Sequence, residues 1–310
     1  MDQIVVHLTQ QREKLREPVQ SEDSGRISAV ADMALISLYN RLINRMDIDP
    51  QQLRRQAAIV GTAEYGRRQL GPFSPLSVLI VQAPEATLDT ETWLAGIIEP
   101  LREAGWSITH DIATTAEIVE RSLSELYWLG AAIDSRFITG CRTFADELLV
   151  SLGREIRSRG ERPSSIRAFF NEWKERHHGQ RNPALLLEPD LDYSAGSLGE
   201  LCRMRWAGFL IYDTNTLAEL PWLTSDKIDA LREAEAFLLR VRNHLQLLRG
   251  GQETRLQYES QQETAFSLGY KDQDDFLAVE RMMKDVESHF YNVRLIADRL
   301  RDLLAEWVQS

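Results

Sequence analysis

Apolar residues recur along this 310-residue chain with two different periods, and the period changes near residue 55. Before that point apolar side chains lie three and four positions apart, a spacing that predicts helix over residues 1–50. After it come two short runs rich in β-branched residues, at 57–61 and 76–81, each bounded by glycine or proline. Such runs are typical of buried strands. The segment between them is rich in Gly, Arg and Pro, which favours a loop with at most one helical turn.

The middle of the chain continues to mix the two patterns. An amphipathic helix is predicted over 88–104, where Gly105 ends it, followed by a strand over 106–112 and a helix that opens at Thr115. Beyond about residue 140 strand signals nearly vanish. Helices are predicted there over 142–158, 163–178, 197–212, 224–249, 259–268 and 275–307. The pattern predicts an α+β fold, in which a small mixed β-sheet core with helices is followed by a mostly helical domain.

Three segments follow from these patterns. We expect an N-terminal helical segment over 1–50, a sheet-bearing core over 51–145 and a helical domain over 146–310. One long irregular connection, 179–196, interrupts the helical domain. Connections of this length in compact domains are usually functional or disordered.

Composition narrows the functional classes. Hydrophobic residues make up 43% of the chain and charged residues 27%, which is ordinary for a globular protein. The net charge of −11 disfavours diffuse binding to nucleic acid, which needs clustered cations. Cys141 and Cys202 fit neither a disulfide framework nor a metal pattern, so reduced thiols in a cytoplasmic protein are expected. No signal peptide and no apolar stretch of ~20 residues is seen, so no membrane partner is expected.

One stretch carries a specific resemblance. Residues 64–81 read EYGRRQLGPFSPLSVLIV. They resemble the active-site segment of the bacterial PII uridylyltransferases, members of the nucleotidyltransferase superfamily, which reads roughly GGYGRRELxPYSDIDLLFL. In that family the aspartates of the Asp-x-Asp hold the magnesium ions that carry the nucleoside triphosphate. In this chain Pro75 and Ser77 stand in those two places. The resemblance therefore implies a nucleotidyltransferase core that has lost its metal ligands.

Two further segments strengthen the resemblance, which extends over roughly residues 40–305. Residues 105–114 (GWSITHDIAT) are similar to the family's GLxVGHSVRT strand, with His110 kept and Asp111 and Ala113 in place of Ser and Arg. Residues 187–200 (LEPDLDYSAGSLGE) are similar to its LEPDIKxxPGGLRD segment. The kept residues there are Glu188, Pro189, Asp190, Gly196 and Leu198, and the changed ones are Asp192, Ser197, Gly199 and Glu200.

The family's later parts, an HD-type hydrolase domain and paired ACT domains, have no counterpart in these 310 residues. The resemblance therefore does not imply a uridylyl-removing or glutamine-sensing role for this chain.

The chemistry of the resembled site depends on carboxylates. Nucleotidyl transfer places negative charge on phosphate oxygens, and two divalent ions held by carboxylates neutralise it. Proline offers no side-chain ligand and a serine hydroxyl is a weak, neutral one. The glycine pair that lets backbone N–H groups approach the triphosphate is replaced by Ala63 and Glu64, and a glutamate repels phosphate. We expect no catalytic residue, no metal ligand and no cofactor.

Three functions stay open on this basis. The leading one is a catalytically inactive PII uridylyltransferase-like protein that acts as a regulatory or protein-binding module. The second is an active nucleotidyltransferase, using Mg²⁺ and a nucleoside triphosphate, in which Glu64 and Asp111 replace the missing ligands. The third is a nucleotide-binding sensor. The vestigial ligand positions that the resemblance implies are Glu64, Gly66, Arg67, Arg68, His110, Asp111, Glu188 and Asp190.

Each of these positions also has a structural interpretation. Arg67 and Arg68 either face a nucleotide or partner, or pair with local carboxylates such as Glu64. His110 is either a remnant of the family site or a hydrogen-bonded structural histidine. In the connection over 180–200, Glu188 and Asp190 are expected to accept hydrogen bonds from backbone N–H groups or arginines, near the mouth of the former active site.

A protein partner or self-association is expected through the helical domain. Its terminal helix carries a broad apolar stripe, part of which is predicted to stay exposed as a contact surface; packing of the whole stripe onto its own domain is the alternative. The stripe consists of Phe276, Val279, Met282, Met283, Val286, Phe290, Val293, Ile296, Ala297, Leu300, Leu303 and Leu304.

Overall fold

A computed structural model describes residues 3–16, 23–46, 49–159, 163–179, 187–273 and 275–309. The contacts divide the chain into two compact units, Met1–Ser165 and Ile166–Ser310. The first unit contains a small mixed sheet with helices and the second is helical, so the α+β fold predicted from the sequence is confirmed. Among the described residues, no helix combines the length and the apolar content that crossing a bilayer requires.

The described residues at the start of the first unit form the helices α1 (Gln3–Leu15), α2 (Ser24–Arg45) and α3 (Pro50–Arg54). The side chain of Asp23 starts α2 by accepting hydrogen bonds from the backbone N–H groups of Gly25 and Arg26. One face of α2 is fully buried and joins the core that covers the sheet. The helical periodicity predicted for the start of the chain therefore reflects packing onto the sheet.

The sheet has four strands: β1 (Ala57–Gly61), β2 (Leu76–Gln82), β3 (Ile108–Ala113) and β4 (Arg136–Gly140). Their order is β3-β2-β1-β4. Strand β1 is antiparallel to β2 and β4, whereas β2 and β3 are parallel. Alternate residues of β2 and β3 join the core with α2, and the intervening residues form the opposite face. That opposite face includes Ser77 and Asp111.

The remaining helices of this unit connect the strands. A single turn, α4 (Ala63–Gly66), lies between β1 and β2. A continuous helical run then comprises α5 (Thr90–Trp93), a π-helical turn (Leu94–Ile98) and α6 (Glu99–Glu103), and Gly105 follows it at a φ of +80°. After β3 come α7 (Thr115–Ser124) and α8 (Leu126–Ile133), and α9 (Arg142–Ser158) follows β4.

Strand β4 is the element that the sequence pattern missed. Its five residues, 136–140, include only two apolar side chains, Phe137 and Ile138, and it pairs along one edge of β1. Strand β1 is equally short, but it is a continuous run of small and apolar residues, whereas β4 has only two adjacent apolar residues and so shows neither such a run nor an alternation. It matters for the site because Arg136, its first residue, contacts the loop between β1 and β2.

The second unit is built from helices alone in its described part, apart from isolated bridges. They are α10 (Ser164–Gly179), which starts in the first unit, α11 (Leu198–Tyr212), a 3₁₀ turn (Leu217–Glu219), α12 (Ser225–Arg249), α13 (Tyr258–Ser267) and α14 (Ala278–Gln309). Helix α14 packs against α11, α12 and α13. The sequence predicts three segments, 1–50, 51–145 and 146–310, whereas the contacts divide the chain into two units. The division into three stays a prediction.

Candidate functional site

The loop between β1 and β2 carries most of the residues that the sequence singled out. It is closed by backbone hydrogen bonds: the N–H of Thr62 donates to the carbonyl of Ser77 at 2.9 Å, and that of Gln69 donates to the carbonyl of Glu64 at 2.8 Å. The N–H of Gly66 donates to Thr62 at 2.9 Å and forms the short helix α4. The loop is therefore an ordered turn fixed to both strands.

Two residues of this loop adopt backbone conformations that favour glycine. Ala63 has a φ of +51° and Arg68 a φ of +61°, although neither is glycine and both are exposed. Ala63 stands where the resembled family has glycine. The loop thus keeps a left-handed backbone at a position where its sequence no longer has the residue that adopts it without strain.

Gly66 is required by a close backbone approach. A Cβ atom at this position would lie 2.0 Å from the carbonyl oxygen of Asp134 and 2.7 Å from that of Gly61. Both distances are far below van der Waals contact, and both obstacles are backbone atoms. The packing of α4 against the residues before β4 explains this glycine without a nucleotide.

Arg67 is held inside the unit. Its Nη1 donates to the carboxylate of Asp134, whose side chain is only 3% exposed, and its Nε donates to Gln69 at 2.8 Å. The Arg67 side chain is itself 14% exposed. A guanidinium paired in this way is already neutralised, which limits its electrostatic attraction for a phosphate.

A second ion pair holds the other side of α4. Arg136 donates from Nη1 and Nη2 to the two carboxylate oxygens of Asp32, at 2.8 and 2.9 Å, and from Nε to the carbonyl of Gly66 at 3.1 Å. The hydroxyl of Tyr65 donates to Asp32 at 2.6 Å. Burial, with the nearby Asp32 carboxylate, raises the pKa of Tyr65 well above its usual value, so the phenol stays a hydrogen-bond donor.

Glu64 and Arg68 lie at the outer side of the loop. One Glu64 carboxylate oxygen accepts a hydrogen bond from the hydroxyl of Ser74 at 2.7 Å, and that hydroxyl accepts from the N–H of Gly71 at 2.9 Å. Glu64 thereby connects the two ends of the loop. This role is structural and places an acidic side chain where the resembled family has glycine.

Pro75 directly precedes β2, and Ser77 is the second residue of that strand. The hydroxyl of Ser77 accepts a hydrogen bond from Thr109 Oγ1 at 3.0 Å, and the two residues are register partners in the parallel β2–β3 pair. Asp111 follows on the same face of β3. Where the resembled family has two carboxylates, this face has a proline and a hydroxyl pair.

Asp111 is engaged by a phenol. Its carboxylate accepts a hydrogen bond from the hydroxyl of Tyr127 at 2.8 Å. Partial burial, together with this hydrogen bond, raises the pKa of Tyr127 to about 12, so the donor is protonated at neutral pH. His110 pairs with Val78 and so lies on the face of the sheet that joins the core. Burial, followed by nearby Arg102, lowers its pKa and favours the neutral imidazole.

A pair of magnesium ions requires several oxygen ligands at about 2.1 Å. In the part of the chain that the structure describes, no three His, Cys, Asp or Glu side chains come together as a possible metal site. The two carboxylates proposed as replacements, Glu64 and Asp111, each accept a hydrogen bond from a protein hydroxyl. The residues present therefore do not fit the two-metal site of the resembled family.

Glu188 and Asp190 belong to the second unit and have partners there. Glu188 accepts from the backbone N–H of Tyr258 at 3.0 Å. Asp190 accepts from the N–H groups of Asp192 and Tyr193, at 2.9 and 3.0 Å, and thereby holds a turn. The backbone contacts expected from the sequence are present; the position of this segment near the former active site stays a prediction, and residues 180–186 lie outside the described ranges.

The structure thus brings Glu64, Gly66, Arg67 and Arg68 together in one loop and places His110 and Asp111 on opposite faces of one strand. Sequence reasoning missed the residues that hold this loop, namely Asp32, Asp134 and Arg136, and also missed Tyr127. The pairing Arg67–Asp134 spans 67 positions and Arg136–Asp32 spans 104. No local pattern indicates partners so far apart, and a binding role for the predicted positions stays a prediction.

Comparisons with known proteins agree with the resemblance. The family described as GlnD PII-uridylyltransferase matches residues 164–300. A bifunctional uridylyltransferase/uridylyl-removing enzyme of Nitrosococcus oceani is 25% identical over 311 aligned positions, covering 96% of this chain and 34% of that protein. Proteins with the same description from Bradyrhizobium diazoefficiens and Novosphingobium aromaticivorans are 26% and 27% identical, covering 90% and 73% of this chain and 30% and 25% of themselves.

The chain spans about a third, or less, of the length of these curated relatives. The alignment with the Nitrosococcus oceani protein nevertheless covers nearly the whole chain, and so includes the sheet-bearing unit as well as the helical one. The family match and the curated relatives together support a nucleotidyltransferase-like fold and the resemblance of this chain to the PII uridylyltransferase family.

Proposed function

We propose that this chain is a catalytically inactive PII uridylyltransferase-like protein that acts as a regulatory or protein-binding module. The observation that carries the proposal is the start of β2, where Pro75 and Ser77 replace both carboxylates and the Ser77 hydroxyl is bonded to Thr109. Nucleotidyl transfer needs divalent cations at that place, and neither residue supplies a charged ligand.

The two nearby carboxylates, Glu64 and Asp111, are not proposed to take the place of the missing metal ligands. Asp111 accepts from Tyr127, and Glu64 joins the two ends of its own loop through Ser74. Among the described residues, neither carboxylate belongs to a group of three His, Cys, Asp or Glu side chains that could hold a metal ion. Glu64 also places negative charge in a loop that would have to receive a triphosphate.

The residues kept from the family motif support a non-catalytic role for a different reason. Gly66 is required by the carbonyl of Asp134, and Arg67 is paired with its carboxylate. These residues maintain the fold whether or not a nucleotide binds. A protein that needs only its shape for recognition retains such residues and can lose the metal ligands.

We further propose that the partner is another protein, or a second copy of this chain, that binds the helical unit. The apolar stripe of α14 is largely buried within its own unit, which explains most of it. Directly before its first residue, however, Phe276 is 58% exposed and the adjacent Leu277 is 53% exposed. We propose this exposed pair as the contact surface, in a cytoplasmic protein that binds neither nucleic acid nor membrane.

A transfer assay tests the loss of activity. The purified chain is incubated with labelled UTP or ATP, magnesium and a PII-type protein, and labelled protein and pyrophosphate are measured. We expect no product above that of a Glu64→Ala/Asp111→Ala double variant. Product above that level would contradict the proposal and favour the active nucleotidyltransferase with relocated ligands.

Calorimetry with the same nucleotides separates the nucleotide sensor from the binding module. A sensor binds a nucleotide without releasing pyrophosphate, whereas the proposed module does not bind at all. Saturable binding of UTP or ATP, with or without magnesium, would therefore contradict the module.

A pair of double variants tests whether Pro75 and Ser77 occupy a former metal site. Pro75→Asp/Ser77→Asp restores two carboxylates to the positions that the resemblance identifies, and Pro75→Asn/Ser77→Asn is the matched neutral control. We expect calorimetry to detect stronger magnesium binding in the aspartate variant than in the asparagine variant. Equal binding would show that these positions are not a vestigial metal site.

A further inference from the structure

Helix α14 of the second unit has a solvent-exposed side that plays no part in the proposed function. Its buried side packs against α11, α12 and α13. On the opposite side, exposed residues recur three or four positions apart, which places them in one line along the helix. This line, the outer face of α14, consists of Lys284, Ser288, Tyr291, Leu295, Arg299, Asp302 and Glu306.

Two apolar side chains lie at the centre of the outer face. Tyr291 is 54% exposed and Leu295 is 51% exposed. Because residues four positions apart on a helix are neighbours, the two side chains form one patch instead of two separate exposed residues. The remaining residues of the outer face are polar or charged. An apolar centre with a polar rim is the composition of a protein contact surface.

Charged side chains of both signs flank this apolar pair. Lys284 and the partly exposed Glu287 precede it, and Arg299 and Asp302 follow it. Among the described residues, no hydrogen bond or ion pair engages any of these four side chains. All four charges are therefore available to a partner that lies along the outer face.

The apolar pair determines how a second copy of the same helix would lie there. A two-fold axis makes the same surface meet itself, so that each residue contacts a different residue of the other copy. The midpoint between Tyr291 and Leu295 is residue 293. An antiparallel pair of helices with its axis at residue 293 therefore places Tyr291 of each copy against Leu295 of the other.

The charges match this arrangement, although they were not used to define it. Residues at equal distances from residue 293 face each other in the antiparallel pair. Lys284 and Asp302 are each nine positions from it, and Glu287 and Arg299 are each six positions from it. Both pairs join opposite charges, and the two-fold axis makes each of them occur twice. The outer face is thus complementary to itself.

Other arrangements lack this complementarity. In a parallel pair with the same axis position, each charged residue would face its own copy, so that like charges would meet. Further outward, Glu280 and Glu306 are each thirteen positions from residue 293 and both are negative. The antiparallel contact is therefore confined to residues 284–302, which span about 27 Å of helix at 1.5 Å per residue.

We propose that two copies of this chain associate through the outer faces of their α14 helices, antiparallel about residue 293. The contact is separate from the Phe276–Leu277 pair, which the proposed function assigns to a partner, and it does not depend on the loss of nucleotidyl transfer. One pair of helices buries little surface, so we expect a weak dimer with a dissociation constant of about 10–100 μM.

Sedimentation equilibrium of the full chain, from about 1 to 500 μM, measures this dissociation constant. Lys284→Glu/Glu287→Lys reverses two charges, which then face Asp302 and Arg299 of the same sign, so we expect dimerisation to weaken at least about tenfold. Adding Arg299→Asp/Asp302→Arg reverses all four charges and makes the faces complementary again. We expect this fourfold variant to dimerise within about threefold of the unchanged chain.

A second pair of variants tests the apolar centre. Tyr291→Ser/Leu295→Ser removes both exposed apolar side chains and should weaken dimerisation at least about tenfold. The matched control is Phe276→Ser/Leu277→Ser, which removes two apolar side chains of similar exposure that lie outside the outer face. It should leave the dissociation constant of the dimer unchanged.

A chain that stays monomeric over the whole concentration range would overturn the inference. Undiminished dimerisation in the half-reversed variant would also overturn it, as would failure of the fourfold variant to restore the dimer. If the Phe276–Leu277 variant lost dimerisation and the Tyr291–Leu295 variant kept it, self-association would belong to the contact surface of the proposed function, and the inference about α14 would be wrong.

Discussion

The β1–β2 loop of the first unit and the segment 187–200 of the second unit both resemble motifs of one family, yet they have changed in different ways. In each region the kept residues have partners within their own unit. Gly66 and Arg67 are fixed by Asp134. Asp190 holds a turn, and Gly196 is packed against the backbone of Phe290. Retention in both regions is explained by folding.

The changed residues separate the two regions. In the second unit Glu200 is buried and accepts a hydrogen bond from Trp173 Nε1 at 2.7 Å, so the substitution is part of the core. In the first unit Pro75 and Ser77 lie partly exposed at the start of a strand, on the face opposite the core. These two positions differ from the resembled family without being absorbed into the packing, as the proposed loss of a metal site would leave them.

The largest expected effect is that of Gly196→Ala in the second region. Gly196 has a φ of +88°, and a Cβ there would lie 2.1 Å from the carbonyl oxygen of Phe290. Both the backbone strain and the clash disfavour alanine, so we expect a loss of about 3 kcal/mol or more in the free energy of unfolding. Denaturant unfolding measures it.

The matched control for this substitution is Gly250→Ala. Gly250 also has a positive φ, +66°, but a Cβ there would meet nothing within 4 Å, so we expect a loss of only about 1 kcal/mol. Gly66→Ala makes the corresponding test in the first region, because its Cβ would lie 2.0 Å from Asp134. A small effect at Gly66 would show that the loop yields easily and that its glycine does not serve packing.

Next in size is Asp134→Ala, which removes the acceptor of the Arg67 guanidinium. Both side chains are mostly buried, at 3% and 14% exposed, so an uncompensated charge would stay enclosed. We expect a loss of about 3 kcal/mol in the free energy of unfolding, measured by denaturant unfolding.

Two control variants test whether that loss comes from the unpaired charge of Arg67. The double variant Arg67→Ala/Asp134→Ala should lose less than the sum of the single variants, because it leaves no unpaired charge. Asp111→Ala, which removes the acceptor of the exposed Tyr127, should lose less than about 1 kcal/mol. Equal losses in Asp134→Ala and Asp111→Ala would mean that Arg67 is not anchored as described, and its assignment to the fold would be wrong.

Much of the fold was accessible from the sequence because its elements carry clear periodicity. Strand β1 was predicted at 57–61 and is observed at Ala57–Gly61, and the long helix α12, predicted at 224–249, is observed at Ser225–Arg249. Thr224 precedes α12 and a left-handed Gly250 follows it, so both boundaries are marked by local signals.

The parts that escaped prediction depend on distant residues. Strand β4 is defined by its pairing with β1 more than by its own pattern. The partners of the site loop, Asp32 and Asp134, come from α2 and from the residue after α8, and each is an isolated acid in an apolar stretch. The resemblance to the family was enough to single out Pro75 and Ser77 from the sequence. The hydrogen bond between the Ser77 and Thr109 hydroxyls could not be predicted, because it depends on the register of β2 and β3.

A smaller effect is expected when the turn acids of the second region are removed. Asp190→Ala deletes the acceptor of two backbone N–H groups, so we expect a loss of about 1–2 kcal/mol. Glu188→Ala deletes the acceptor of one, the N–H of Tyr258, and should lose about 0.5–1 kcal/mol. Thermal and denaturant unfolding measure both losses. No loss in either variant would argue that these acids were kept for a ligand and would weaken the contrast between the regions.

The smallest expected effect is a gain in the free energy of unfolding, caused by a substitution in the β1–β2 loop. Ala63 adopts a φ of +51°, so Ala63→Gly removes a left-handed strain of about 1–2 kcal/mol and adds back less than about 1 kcal/mol of chain entropy in the unfolded state. We expect the free energy of unfolding, measured with denaturant, to rise by about 0.5–1 kcal/mol.

The control is Ala116→Gly, at an exposed position within α7, which should lower the free energy of unfolding by about 0.5–1 kcal/mol. Opposite signs would show that the loop keeps a glycine-type backbone without its glycine, whereas destabilisation by both would show that alanine is not strained at position 63.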